Sequence, residues 1–177
     1  MNSNFEETRR RTLDLLDTTR RATRSALSHL DSQMVVHTDE RAWRVRDVVG
    51  HLGVWNGEAA RSLGAYAEGG EYFCMTANGV YDEYNGPAAE ERKTWTMERV
   101  WAEYEASHAQ LKSIIESMPA EKWEGVMVFP WNEQGTIEQL IKRMMKHETK
   151  DHCNLIIKAT SLGQKGGQGQ MKRTGAL

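Results

Sequence analysis

The chain has 177 residues, 39% of them hydrophobic and 27% charged, which suits one globular domain and argues against disorder. Its 23 basic and 25 acidic residues leave a formal net charge of -2, and the short basic runs (Arg9 to Arg11; Arg20, Arg21 and Arg24) are interleaved with Glu6, Glu7, Asp14 and Asp17, so no nucleic-acid footprint is expected. Two cysteines without CxxC spacing, a start without an apolar signal core, and the absence of any apolar run near ~20 residues predict a cytoplasmic protein with no disulfide framework and no membrane partner.

In chain order, residues Asn4 to Leu30 contain no Gly or Pro and carry Leu13, Leu16, Thr23, Leu27 and Leu30 at three- and four-residue steps, an amphipathic helix. A loop follows through Arg41. The second helix is predicted from Trp43 to Ala67 on Val45, Val48, Val49, Leu52, Trp55, Ala59 and Leu63. Gly50, Gly53 and Gly57 weaken its propensity but permit close approach of a neighbour, and Gly69-Gly70 is a natural stop. Residues 71–94 read as a long irregular connection with one short helix near Ala88 to Lys93. Its aromatic residues Tyr72, Phe73, Tyr81 and Tyr84 suit a cover over a site. The third long helix is predicted from Thr96, a good cap, to Met118 before Pro119. Loop residues 120–135 include a brief extended piece at Val126 to Phe129. The last helix starts at Thr136 with a Thr136/Gln139 capping box and runs to Thr160. The expectation is an all-α four-helix bundle over residues 1–160, with a long connection between its second and third long helices, and a flexible tail over residues 161–177.

The last helix carries polar residues on its apolar face. At 100° per residue, with Ile141 at zero, Ile137, Met144, Met145, Leu155, Ile156 and Ala159 define an inward stripe. Glu148 falls at about 340° and His152 at about 20°, on its centre, while His147 falls at about 240°, near its edge. A buried carboxylate needs a compensating partner. An i, i+4 Glu-His pair aimed at one metal ion supplies that, and so does a structural hydrogen bond or ion pair. A local π-bulge would rotate this turn and bring His147 inward instead. His29, His37 and His108 read as isolated surface or loop histidines, and Cys74 and Cys153 as packed thiols.

The second-helix segment Trp43-Arg44-Val45-Arg46-Asp47-Val48-Val49-Gly50-His51-Leu52-Gly53-Val54-Trp55 resembles the signature of the DinB-like superfamily. The later Ala-Ala-Glu-Glu-Arg stretch and the final histidine-bearing helix are similar to it too, from about Phe5 to Thr160. The resemblance implies a four-helix bundle holding a divalent metal, typically nickel, zinc or iron. Its pattern is one His on the second helix and two His four apart on the last. His51 and His152 match, and Glu148 stands at the intermediate position. The ligand set it implies is therefore His51, Glu148 and His152, with Glu58 as a base or extra ligand. The implied activity is metal-assisted transfer or hydrolysis on a small molecule, with low-molecular-weight thiol S-transfer the best-known theme, in a homodimer. The rival is a non-catalytic, stress-linked binding or sequestration protein with a degenerate, metal-free site. The related maleylpyruvate-isomerase type carries a further C-terminal domain, for which 177 residues leave no room.

Overall fold

A computed structural model describes residues 2–37, 42–75, 81–158 and 160. Residues 161–177, expected as a tail, lie outside the described residues. In chain order the elements are α1 (Asn2–Leu27), α2 (Val45–Ala67), α3 (Tyr81–Arg92), α4 (Met97–Ser117), the single turn α5 (Ala120–Trp123), β1 (Met127–Val128), β2 (Gln134–Gly135) and α6 (Ile137–Lys146). The last helix continues from α6 through a π-helical segment, His147–Cys153, and returns to α-helix over 154–158. The architecture is the expected all-α bundle, built from α1, α2, α4 and this composite last helix.

Local chemistry sets the helix ends. The Asp47 carboxylate accepts from the Arg44 backbone N–H at 2.9 Å and starts α2. Gly69 ends it: φ is +88° there, Gly70 N–H reaches the Ala65 carbonyl at 2.8 Å and Gly69 N–H the Tyr66 carbonyl at 3.0 Å, the double bond of a Schellman cap. Thr96 caps α4 by accepting from Arg99 N–H at 3.3 Å. At α6, Thr136 Oγ1 accepts from Gln139 N–H at 3.3 Å while Gln139 Oε1 accepts from Thr136 N–H at 2.9 Å, a reciprocal capping box.

The connection between α2 and α4 holds more helix than its sequence suggests. α3 spans 12 residues and carries Pro87 inside it, where Pro lacks an N–H and breaks intrinsic propensity. Tertiary contacts override that preference. Asn85 Oδ1 accepts from Trp55 Nε1 at 3.0 Å and Tyr84 donates its hydroxyl to Glu58 at 2.7 Å, so the first turns of α3 are pinned to α2.

Two apolar clusters fill the bundle. Leu16, Leu63, Leu111, Ile115, Leu140 and Ile141 belong to one, and Leu27, Val45, Val48, Val49, Val100 and Ile156 to the other. α2 and α4 approach closely at Gly53, where a Cβ would stand 3.2 Å from both the N and the Cα of Tyr104. The extended piece expected near Val126 is a two-residue hairpin strand, with Met127 opposite Gly135 and Val128 opposite Gln134. Ser62 on α2 ties it down by donating to the Val128 carbonyl at 2.5 Å. Among the described residues, no helix is long and apolar enough to cross a membrane.

Candidate metal centre

The last helix changes its hydrogen-bond register at His147. Thr149 Oγ1 donates to the Met145 carbonyl at 2.8 Å within this segment. Downstream, the Asn154 N–H reaches Thr149 O, the i→i+5 bond of a π-helix. Residues five apart then share a face, so His147 and His152 point together. His51 meets them from α2. His147 Nε2 lies 3.0 Å from His51 Nε2 and 3.2 Å from His152 Nε2. Ligand atoms of all three histidines fall within 4.8 Å of one another.

This arrangement differs from the one predicted by uniform α-helical phase. The sequence expectation grouped Glu148 with His51 and His152; the structure groups His147 with them instead. The physical reason is the π-helical register, which turns His147 inward, the alternative that the helical wheel left open. Glu148 is buried but engaged elsewhere. It accepts hydrogen bonds from Thr23 on α1 and, at 2.6 Å, from Tyr104 on α4. Burial pushes its carboxyl pKa up, and the two hydroxyl donors pull against that shift. Burial also raises the Tyr104 pKa, helped by the charge of Glu148. Cys153 packs against the same group, its thiol 3.4 Å from Thr23 Oγ1, with burial pushing its pKa up to about 11.

The histidine rings are oriented from behind. His147 Nδ1 faces Asp151 at 3.0 Å; in the tautomer with its proton on Nδ1, that proton is donated to the carboxylate and Nε2 presents its lone pair to the cluster. His152 Nδ1 faces His37 Nε2 at 3.1 Å, leaving His152 Nε2 toward His147. Trp43 tilts against His51 with ring centroids 4.8 Å apart and stacks on His152 at 6.2 Å. The segment bearing His37 is held beside Trp43 because the N–H groups of Val36 and His37 both reach the Trp43 carbonyl, at 2.8 and 3.1 Å. His37, read from sequence as an isolated loop histidine, is thus a neighbour of His152 across 115 positions of chain. His108, also read as a surface histidine, is buried on α4. Burial lowers its pKa.

The cluster opens into a cleft of about 610 Å³. Trp55, Tyr81 and Trp131 form its aromatic wall, and Asn85, Met144 and Leu155 line it as well. Glu58 is not part of this cleft. It lines a separate groove between α2, α3 and α4, and its carboxylate accepts from Arg61, from Tyr72 at 2.5 Å and from Tyr84 at 2.7 Å. The structure therefore does not bring Glu58 to the histidines; Glu58 fastens the aromatic connection to α2. Cys74 donates weakly to the Pro130 carbonyl at 3.4 Å. Burial and the nearby Glu58 charge push its pKa up to about 11.

The donor set suits a divalent ion. Imidazole nitrogens bound at about 2.0–2.1 Å to one ion stand roughly 3.0–3.4 Å apart for right-angled to tetrahedral geometry. Two of the three pairwise separations, 3.0 and 3.2 Å, fall in that range, and all three donor atoms lie within 4.8 Å of one another. His51, His147 and His152 would be the residues to hold such an ion, beside the cleft that they also line.

Solved structures of similar fold include a mycothiol-dependent maleylpyruvate isomerase and a histidine-to-alanine mutant of it. Each superposes with a TM-score of 0.63 at 14% sequence identity, covering 84% of this chain and 65% of the other. This chain thus spans less than two thirds of those proteins, and the likeness concerns the fold. No curated protein matches the sequence. The family model for the DinB superfamily matches residues 5–156, nearly the whole bundle from α1 to the end of the histidine-bearing helix, and the chain belongs to that superfamily.

Proposed function

We propose that this protein is a divalent-metal-dependent transferase or hydrolase acting on a small molecule, with a low-molecular-weight thiol as the group to be activated. The observation that carries this reading is the convergence of His51, His147 and His152 at the mouth of an aromatic-walled cleft. A divalent ion held there supplies Lewis acidity that lowers the pKa of a thiol or water, so that a nucleophile is available near neutral pH. The chain's own residues do the rest. Asp151 and His37 hold the imidazoles in the tautomers that present Nε2. Trp55, whose indole N–H is fixed by Asn85, and Trp131 exclude water from one wall. The thiol theme draws support from the mycothiol-dependent enzyme of similar fold.

The test is metal content and thiol reactivity of protein purified without a metal-affinity tag. A stoichiometric ion after reconstitution, together with metal-dependent conjugation of a small thiol to an electrophilic acceptor, is the expected result. No retained metal after reconstitution would favour the non-catalytic binding or sequestration role.

His37 gives a narrower prediction. It is a positioning residue that acts through His152. His37→Ala is expected to weaken zinc affinity by about 10–100-fold, the usual effect of losing an outer hydrogen-bond partner. His37→Gln, whose side-chain oxygen still accepts from Nδ1–H, should restore part of it. Chelator competition reads both. Equal affinity in His37→Ala and wild type would show that the contact does not orient the ligand.

A further inference from the structure

The cleft is lined by a further charged side chain, Arg143, beside the histidines. Arg143 lies on α6 one helical turn before His147, so its Cα sits about 6 Å along the axis from that residue's. It is the one Lys or Arg side chain lining the cleft among the described residues. Its guanidinium pairs with Glu133, which sits in the turn between the two short strands. Both side chains remain 53% exposed. The guanidinium also stands 5.6 Å from the centre of the Phe129 ring, and Phe129 packs against Trp131 at 5.3 Å. Trp131 and Tyr81 in turn flank Trp55, at 6.2 and 5.9 Å.

From this we infer that the co-substrate of the histidine site is a carboxylic acid with an aromatic or apolar body, its carboxylate docking on Arg143 in place of Glu133. The inference rests on the reading of the histidine cluster as a metal site only for where the reacting end lies. Glu133 already shows that this guanidinium receives a carboxylate within the cleft lining. An ion pair so open to water is held weakly, so a ligand carboxylate displaces it readily. Arginine's planar fork binds a carboxylate through two parallel bonds. The body of such a ligand then lies along Trp55, Tyr81 and Trp131 and places its far end at the histidines.

The test uses zinc-loaded full-length protein titrated with 3-phenylpropanoate, its primary amide and the corresponding amine, followed by tryptophan fluorescence and calorimetry. The acid is expected to bind about two- to fivefold more tightly than the amide, the scale of a solvent-exposed ion pair. Arg143→Gln should remove that preference, and Glu133→Gln should strengthen acid binding several-fold by releasing the guanidinium. Tighter binding of the amine, or acid binding unchanged in Arg143→Gln, would overturn the inference. Zinc content measured on the same samples separates the two claims. Retained zinc with Arg143-independent acid binding refutes the carboxylate site alone, whereas Arg143-dependent acid binding in protein that holds no zinc refutes the metal reading alone.

Discussion

His147→Ala is expected to abolish tight metal binding, while Glu148→Gln is expected to leave it within a few-fold of wild type. His147 Nε2 is the shared neighbour of the other two donor nitrogens, at 3.0 and 3.2 Å, so its removal leaves two imidazoles without the third that completes the set. The loss should exceed the roughly 100-fold effect of removing an outer-shell partner. His152→Ala should behave like His147→Ala. Glu148 points toward α1 and α4, where Thr23 and Tyr104 donate to it, and a glutamine oxygen can accept from the same hydroxyls. Zinc titration against a competing chelator measures all three variants. The reverse pattern, with Glu148→Gln losing metal and His147→Ala keeping it, would mean that the last helix binds metal in the α-helical register and that the π-helical turn is not the binding form.

Gly53→Leu is expected to cost the fold about 3 kcal/mol, at the upper end of ordinary overpacking. Gly53 is buried, and an added Cβ would already stand 3.2 Å from the backbone of Tyr104. A backbone neighbour cannot rotate away, so α2 and α4 must separate. For a chain of this size, roughly 2–4 °C is lost per kcal/mol, which gives a fall in Tm of about 6–12 °C. Gly57→Ala, one turn further along the same helix, is the control. Nothing lies within 4 Å of its Cβ position, so the substitution should raise Tm slightly through the helix propensity of Ala. Thermal melts followed by circular dichroism report both. A Gly53→Leu protein as stable as wild type would remove the close α2–α4 contact from the account.

The residues that announce helices in the sequence are those whose signals are local. Leu16 and Leu27 on one stripe, Thr136 with Gln139 at a cap, and Gly69 at a stop all act within a turn or two of themselves, and each does in the structure what its spacing implies. Long-range effects were hidden. α3 forms through Gly86 and Pro87 because Asn85 and Tyr84 are anchored to α2, and no local pattern records those anchors. His51 and His152 were legible as candidates from the second-helix motif and from the inward phase of the last helix. His147 was legible only as an alternative, because the helix takes a wider, π-helical register over His147–Cys153. A wheel drawn at 100° per residue assumes that no such shift occurs. His37 gave no periodic signal at all, since it lies in a loop brought to His152 by pairing beside Trp43. Glu58, expected as a base or extra ligand, instead fastens the aromatic connection through Tyr72 and Tyr84.

X-ray absorption at the metal edge of the zinc-loaded protein tests the central claim most directly, because it counts the donors around the ion. Three imidazole nitrogens at about 2.0–2.1 Å, with the remaining positions filled by light atoms and the count unchanged in Glu148→Gln, is the predicted result. A shell of two imidazoles and one carboxylate that changes in Glu148→Gln, or a zinc ion bound without imidazole scattering, would contradict it.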